Sequence, residues 1–252
     1  MRFDGKAVLI TGATRGIGAA CAQAFLAEGA RVAINGRTDT SVAVTMAGYE
    51  GNDNVVPAPG DVSTVAGCEA AVGAALAAFG GLDILVNNAG VFFRGSIGDT
   101  DEAAWDAVMD ANVKSVQFCT RAALPALRAA RGNIVNVASE SGLNGYPETT
   151  AYCASKGAVV NLTRAMAMEL APDVRVNALC PGVVETDMAR AGFAINGDED
   201  AGMRGQHDAY PLKRIGTVEE TAAAILFLAS DEAGFINGAA LPMEGGATVG
   251  KW

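Results

Sequence analysis

Short apolar runs alternate with longer segments in which apolar residues recur at helical spacing along most of the chain. Residues 7–10, Ala-Val-Leu-Ile, are apolar at every position, which is typical of a strand buried on both faces of a sheet. Gly29 follows the first helical segment, as a residue that ends a helix should. We predict strands at residues 7–10, 31–34, 54–56, 82–86, 133–137, 174–179 and 239–243. We predict a first helix that ends at Glu28 and further helices at residues 38–49, 64–79, 101–131, 151–170 and 218–229.

This alternation predicts an α/β fold with a doubly wound, Rossmann-like parallel sheet and helices on both faces. Strands separated by helices pair in parallel through right-handed crossovers. No repeat or linker interrupts the pattern, so residues 1–252 are expected to form a single dinucleotide-binding and catalytic domain. The exception is residues 185–216, which are polar, long and rich in glycine. A loop of that length in a compact domain is usually functional or disordered, and we expect a substrate lid.

Composition excludes several classes of function. Half of the 252 residues are hydrophobic, the net charge is −10 and the pI is about 4.6. Nucleic acids and anionic membranes are bound through basic patches, so neither is an expected partner. The five cysteines form no Cys-x-x-Cys pair, and the first residues lead directly into a strand without a secretion signal. We therefore expect a cytoplasmic protein.

A glycine-rich turn joins the first predicted strand to the first predicted helix. Residues 11–18 read Thr-Gly-Ala-Thr-Arg-Gly-Ile-Gly. Glycines let the backbone approach a phosphate, and the start of a helix offers free N–H groups and the positive end of its dipole. The spacing differs from the Gly-x-Gly-x-x-Gly of the common dinucleotide fingerprint, and many tight turns have similar glycines. The turn therefore indicates a phosphate site without establishing one.

Tyr152 and Lys156 are four residues apart in a predicted helix and so share one face. A free tyrosine titrates near pH ~10, and a nearby cation lowers that pKa. Ser139, after the strand at 133–137, could polarise a carbonyl oxygen placed between itself and the phenol. This arrangement favours proton transfer to or from an alcohol or ketone oxygen. Such a pair is by itself more often a half-buried aromatic ring and a solvated charge, so the other motifs decide.

Together the motifs resemble those of the short-chain dehydrogenase/reductase family, in one order and over essentially the whole chain. They are residues 11–18, Asn87-Asn88-Ala89-Gly90, Asn112, Ser139, Tyr152-x-x-x-Lys156 and Pro181-Gly182. The resemblance implies an oxidoreductase that moves a hydride between a nicotinamide cofactor and a secondary alcohol or ketone. The cofactor would carry the hydride chemistry, and the protein would supply orientation and a tuned proton donor.

The resemblance also implies residue roles. Tyr152 would be the acid/base, and Lys156 would lower its pKa and hold the nicotinamide ribose. Ser139 would bind the substrate oxygen, and Asn112 would help to hold a water that links Lys156 to solvent. The residues implied for the cofactor, besides Tyr152 and Lys156, are Gly12, Arg15, Gly16, Ile17 and Gly18 around the adenosine and pyrophosphate, Asp61 and Val62 at the adenine, Asn88, Ala89 and Gly90 at the middle, and Pro181, Gly182, Val184 and Thr186 along the nicotinamide.

The end of the second predicted strand bears on the choice of cofactor. An NAD enzyme typically places a carboxylate there for the ribose 2′-hydroxyl. Here Gly36 occupies that place, Arg37 follows, and Arg15 lies in the glycine-rich turn. Guanidinium groups bind a phosphate bidentately, so NADP(H) is the predicted cofactor. NAD(H) stays possible if Arg37 is solvated and only stacks on the adenine.

The substrate is less well specified. Glu140, Asn144 and Tyr146 follow Ser139 and are the candidate substrate residues, and the first two could hydrogen-bond a hydroxyl. A small polar or hydroxylated carbonyl compound is therefore expected. No Gly-x-Ser-x-Gly elbow supports a hydrolase, and the single histidine, His207, has no partners at metal-ligand spacing, so no metal site is expected.

Two alternative functions stay open. One is a 3-oxoacyl-(acyl-carrier-protein) reductase, whose acidic partner would require a basic docking patch on a chain of charge −10. The other is a non-catalytic NADP-binding sensor. The family resemblance also implies a homotetramer, with the glycine-rich, apolar residues 233–252 at an interface.

Overall fold

Seven strands form one sheet in which every pairing is parallel. The computed structural model describes residues 1–194 and 197–250; Ile195 and Asn196 of the predicted lid, and Lys251 and Trp252, lie outside it. The strand order is β3-β2-β1-β4-β5-β6-β7. The strands are β1 (Ala7–Ile10), β2 (Arg31–Gly36), β3 (Val55–Pro59), β4 (Ile84–Asn87), β5 (Asn133–Val137), β6 (Arg175–Pro181) and β7 (Ala240–Met243). The predicted doubly wound α/β architecture is confirmed.

Helices connect the strands and cover both faces of the sheet. They are α1 (Gly16–Ala27), α2 (Asp39–Met46), α3 (Val65–Phe79), α4 (Glu102–Met109), α5 (Ser115–Ala130), α6 (Thr150–Leu170), α7 (Asp187–Phe193), α8 (Glu199–Asp208) and α9 (Val218–Ala229). Several ends have clear chemical causes. The Thr64 hydroxyl caps α3 by accepting the Gly67 N–H, and Gly80 ends that helix at a φ of +75°.

Two apolar clusters, one on each face of the sheet, form the core. Successive strand residues point to opposite faces, so β1 contributes Leu9 to one cluster and Val8 and Ile10 to the other. Helices α3, α5 and α6 pack over Leu9, and α1 and α9 pack over the opposite face. Phe25 of α1 is fully buried in the second cluster. Burial on both faces explains why these strands are apolar at consecutive positions.

The helix predicted over residues 101–131 is interrupted. Residues Asp110–Lys114 form a wider π-helical turn between α4 and α5. Such turns are frequently found at functional sites, and this one contains Asn112. Apolar spacing did not indicate the interruption, because the backbone stays helical from α4 through this turn into α5.

The prediction of a long loop at residues 185–216 is wrong in its local structure. The segment contains α7 and α8, which are capped by Thr186 and Asp198 through the N–H groups of Ala189 and Ala201. Gly202 is inside α8 and lies against the carbonyl oxygen of Phe193, where a Cβ would have no room. The absence of a side chain at Gly202 therefore allows α7 and α8 to pack closely, and this glycine does not mark a loop.

Two further absences concern the described residues. Residues 1–194 and 197–250 contain no helix long and apolar enough to cross a membrane. Within the same ranges, no group of three or more His, Cys, Asp or Glu side chains is arranged to hold a metal ion.

Candidate active site

A cavity of about 1020 Å³ opens at the carboxyl ends of the strands, next to the point where β1 pairs with both β2 and β4. Ligands of open α/β sheets bind at such a switch point. The predicted cofactor residues that line it are Gly12, Arg15, Gly16, Ile17, Arg37, Asp61, Val62, Asn88, Ala89, Gly90, Tyr152, Lys156, Pro181, Gly182, Val184 and Thr186. Of the other predicted residues, Ser139 and Glu140 line the cavity, while Gly18, Asn112, Asn144 and Tyr146 do not.

The glycine-rich turn forms a cradle that side chains would fill. Gly12 and Gly16 have φ angles of +63° and +55°, and a Cβ on Gly12 would lie 3.0 Å from Cα of Ala89. A Cβ on Gly18 would collide with the Gly12 carbonyl oxygen, so Gly18 closes the turn instead of lining the cavity. Helix α1 starts at Gly16 with no side-chain cap and no acidic residue in its first turn. Its free N–H groups suit an anion such as a pyrophosphate.

Two polar side chains with no role assigned from the sequence hold this cradle in place. The Thr11 hydroxyl accepts the N–H groups of Asn88 and Ala89, both at 2.9 Å. Asn35 accepts the Gly12 N–H at 3.1 Å and donates to the Ala58 carbonyl at 2.9 Å. Asn35 is 1% exposed and follows three apolar residues of β2. A buried asparagine in an apolar strand could have been identified from the sequence as a structural contact.

The end of β2 has no room for a side chain at Gly36, where NAD enzymes typically place a carboxylate. A Cβ on Gly36 would lie 2.6 Å from Cγ2 of Thr14 and 2.9 Å from Cγ2 of Val42, so a larger residue requires both to move. Arg37 is exposed and lines the cavity, as does Arg15. No carboxylate in the described part of the chain forms an ion pair with either guanidinium. Asp39, in the first turn of α2, is the nearest acidic residue in sequence.

Tyr152 and Lys156 lie on one face of α6, and Ser139 faces them from the end of β5. The Lys156 Nζ is 5.8 Å from the centroid of the Tyr152 ring. Burial raises the pKa of Tyr152 to about 12, and a hydrogen bond with Ser139 acts in the opposite direction. The phenol is therefore protonated at neutral pH, as a proton donor to a carbonyl oxygen must be. It also lies close to a second hydroxyl, that of Ser139.

Lys156 is buried, and burial favours its neutral form. Only 5% of the residue is exposed, and Nζ donates to the Val137 carbonyl oxygen at 3.0 Å. Burial lowers the pKa of Lys156 to about 8. Lys156 is not among the groups that shift the pKa of Tyr152 in this structure. The expected lowering of the tyrosine pKa by Lys156 therefore stays a prediction.

Asn112 connects three segments of the site through its side-chain amide. Its Oδ1 accepts the Val91 N–H at 2.8 Å, and its Nδ2 donates to the Val91 carbonyl at 3.0 Å and to the Ser155 hydroxyl at 3.0 Å. A Cβ on Gly90 would lie 2.9 Å from that Oδ1 and 3.5 Å from the Lys156 Nζ. Asn112 is thus next to Lys156, while its role in holding a water stays a prediction.

Glu140 lines the cavity beside Ser139 and lies next to two tyrosines, Tyr210 and Tyr146, that are outside the cavity lining. Glu140 is 7% exposed and accepts the Tyr210 hydroxyl at 2.7 Å; burial raises its pKa. Tyr146 lies close enough to Glu140 for the carboxylate to affect it, and burial with that charge raises the Tyr146 pKa to about 12. Asn144 hydrogen-bonds this phenol, which lowers the Tyr146 pKa.

Phe92 forms an apolar wall beside Tyr152. Its ring meets the Tyr152 ring edge-on at 5.0 Å between centroids, and the Phe193 ring of α7 lies 5.5 Å away. The apolar residues of the predicted lid, Phe193 among them, are expected to close over a substrate, but Phe92 and Tyr210 have no predicted role, because each lies in a segment far from Tyr152 in the chain. Only the fold shows that Phe193 packs on the same ring, Phe92, as Tyr152 does.

Comparisons with known proteins agree with this geometry. A family model described as enoyl-(acyl carrier protein) reductase matches residues 12–248. The chain is 41% identical over 250 residues to a meso-2,3-butanediol dehydrogenase of Serratia marcescens, covering 99% of this chain and 97% of the relative. It is 42% identical over 256 residues to 2-(S)-hydroxypropyl-CoM dehydrogenase 3 of Xanthobacter autotrophicus, covering 98% of each. The crystal structure of a levodione reductase superposes with a TM-score of 0.94 at 31% identity, covering 99% and 100% of the two chains.

The two relatives named above are dehydrogenases that act on CH–OH groups, and the similarity to them extends over nearly the whole chain. The protein is therefore an oxidoreductase of the alcohol dehydrogenase and ketone reductase type, in a family that uses nicotinamide nucleotides. The chain belongs to the short-chain dehydrogenase/reductase family.

Proposed function

We propose that this enzyme transfers a hydride between NADP(H) and a small polar or hydroxylated secondary alcohol or ketone, with Tyr152 as the acid/base. The observation that carries the proposal is the meeting of the Tyr152 phenol, the Ser139 hydroxyl and the Lys156 ammonium in one cavity behind a glycine cradle. A nicotinamide nucleotide, when bound, supplies or accepts the hydride.

The protein residues handle the oxygen and the proton. In the reducing direction, Ser139 donates a hydrogen bond to the carbonyl oxygen, and Tyr152 gives that oxygen its proton as negative charge develops on it. The resulting phenolate is stabilised by Lys156. Asn112 then holds the water through which the proton is replaced. In the oxidising direction, each proton moves the opposite way.

The preference for NADP(H) rests on the charges at the end of β2. Arg37 and Arg15 line the cavity, and the residues around Gly36 disfavour the side chain that NAD enzymes place there. A 2′-phosphate would bind the two guanidinium groups, whereas a 2′-hydroxyl would gain little from them. NAD(H) is the poorer cofactor in this proposal.

The substrate class follows from the two kinds of surface near Tyr152. Phe92 and Phe193 offer an apolar wall, and Glu140 offers a carboxyl group, with Tyr146 and Asn144 close to it. A short carbonyl compound with a neighbouring hydroxyl matches both. Residues 185–216 act as the lid, since the α7 ring of Phe193 contacts the wall beside Tyr152.

We also propose a cytoplasmic homotetramer. All five cysteines are free, which suits a reducing compartment. Met168 on α6 and Phe235 before β7 are large apolar side chains left exposed by the single chain, as residues of a subunit interface would be. Light scattering of the purified protein tests the assembly, and a monomer at micromolar concentration would contradict it.

The function is tested by following nicotinamide absorbance against a panel of simple ketones, hydroxyketones, diols, sugar acids and β-ketoacyl thioesters. NADPH and NADH are measured in parallel. We expect turnover of the hydroxyketones and diols, with NADPH (or NADP⁺ for oxidation) preferred. Turnover confined to the thioesters would instead establish the acyl-carrier-protein reductase alternative, and cofactor binding without any turnover would favour a sensor.

A further inference from the structure

Tyr210 lies near the end of the lid, yet it is 4% exposed and its hydroxyl sits between two walls of the active-site cleft. The hydroxyl donates to Oε1 of Glu140 at 2.7 Å and accepts the Val183 N–H at 2.7 Å. Glu140 directly follows Ser139, and Val183 directly follows Pro181-Gly182. One phenol therefore bridges the turn after β5 and the loop after β6.

Close packing against two glycines fixes the Tyr210 ring. A Cβ on Gly182 would lie 3.0 Å from both Cε1 and the hydroxyl of Tyr210, and 3.1 Å from Cα of Glu244. A Cβ on Gly245, whose φ is +61°, would lie 3.5 Å from Cβ of Tyr210. The ring thus fills a slot between the β6 loop and the segment after β7, which leaves its hydroxyl little freedom to turn.

Glu140 depends on this phenol for its orientation. The 2.7 Å bond from Tyr210 fixes Oε1, while Oε2 is buried with no hydrogen bond of good geometry among the described residues; Tyr146 is a second, weaker neighbour of the carboxyl group. Losing the partner of a buried carboxyl group is costly, because water cannot replace it freely. The titratable groups that face Glu140 are Tyr210, Tyr146 and Glu244, and Tyr152 also senses its charge.

We propose that Tyr210 is a positioning residue that holds Ser139 and the loop after β6 at a fixed separation across the cleft. The Ser139 hydroxyl accepts the Ser141 N–H at 3.1 Å, so Ser139 and Glu140 belong to one tight turn. A hydrogen bond on Glu140 therefore also restrains Ser139, and the bond to Val183 restrains the opposite wall. Catalysis of this type loses rate steeply when reacting groups are misplaced. The proposal rests on the proposed reaction at Ser139 and Tyr152.

Tyr210→Phe tests the bridge because it keeps the ring and removes both hydrogen bonds. We expect kcat for ketone reduction to fall about 10- to 100-fold, the scale of loss from misplaced reacting groups. The Kd for NADPH, measured by its fluorescence, should change much less than kcat, because the glycine cradle and Arg37, which would hold the adenosine end, are untouched and only the nicotinamide end meets the loop at Val183. Amide hydrogen exchange of the peptide that contains Val183 should become faster, which reports the lost bond without any turnover.

A double-mutant cycle separates a bridge from two unrelated effects. Glu140→Met breaks the same bond from the other side, and in the double variant with Tyr210→Phe the loss in kcat should be no larger than in the worse single variant. Tyr49→Phe is the matched control; Tyr49 lies after α2 and does not line the cavity, so its removal of a phenol hydroxyl should leave kcat and Val183 exchange unchanged.

Either of two results overturns the proposal: wild-type kcat and wild-type Val183 exchange in Tyr210→Phe, or losses that multiply in the double variant. Tyr152→Phe is measured beside them. If Tyr152→Phe keeps wild-type turnover, the proposed reaction fails whatever Tyr210 does. If Tyr210→Phe does not fold, Val183 exchange in Glu140→Met decides: faster exchange supports the bridge and wild-type exchange overturns it, whereas kcat does not decide because Glu140 itself lines the cavity.

Discussion

Replacing Arg37 with Ala should greatly reduce the preference for NADPH over NADH. Arg37 lines the cavity beside Gly36 and has no ion-pair partner within the described ranges, so its guanidinium is available to a 2′-phosphate. A hydrogen bond to a charged group contributes about 1.5–3 kcal/mol, and exposure to solvent reduces this to about 1–2 kcal/mol here. That free energy corresponds to a loss of about 5- to 30-fold in NADPH affinity.

The assay is fluorescence titration of NADPH and NADH with wild-type enzyme and the Arg37→Ala variant. NADH has no 2′-phosphate, so its Kd should change by less than about two-fold. Arg121→Ala is the matched control, because it removes the same charge from an exposed guanidinium that pairs with Glu69 at 2.7 Å and does not line the cavity. Equal weakening of NADPH and NADH by Arg37→Ala would refute the 2′-phosphate argument.

Two further outcomes follow from the site. Burial lowers the pKa of Lys156 to about 8, so its charge is present below that pH and lost above it, while Tyr152, with a pKa of about 12, keeps its proton. We therefore expect kcat/KM for ketone reduction to fall as the pH rises through about 8. A profile that stays flat to pH ~10 would contradict a role for the ammonium. Gly192→Ala places a Cβ 2.5 Å from Cδ1 of Phe92, so we expect the ring of Phe92 to be displaced and KM for the ketone to rise several-fold. Gly205→Ala is the control, because its Cβ would meet nothing within 4 Å. Equal kinetics of the two variants would refute the importance of the contact between residue 192 and Phe92.

The fold could be predicted because each strand is buried on two faces and each helix covers one of them. Consecutive apolar residues such as 7–10, and helix ends such as Gly80, depend on local chemistry that the sequence states directly. The structure of residues 185–216 was harder to predict, because the glycines in this segment have different structural roles. Gly197 has a φ of +85° between two helices, whereas Gly202 is inside α8 and permits close packing. Spacing alone cannot distinguish a turn from a close contact.

The site residues likewise divide into those that the sequence predicted and those that only the packing brings together. Tyr152 and Lys156 are four apart on one helix, so their common face followed from their spacing. Tyr210 and Glu140 are 70 residues apart, and only the packing of the lid brings them together. The direction of the Lys156 ammonium, toward Val137, also depends on a strand carbonyl that no motif includes. Long-range pairs of this kind carry no signal in one sequence.

The central claim is that Tyr152 moves the proton, and Tyr152→Phe tests it most directly. The substitution removes one hydroxyl and keeps the ring that packs on Phe92. Turnover of the best hydroxyketone and the Kd for NADPH are measured on the same preparation. The account predicts that nearly all turnover is lost while cofactor affinity is kept. Reduction at the wild-type rate by the Phe variant would contradict the account.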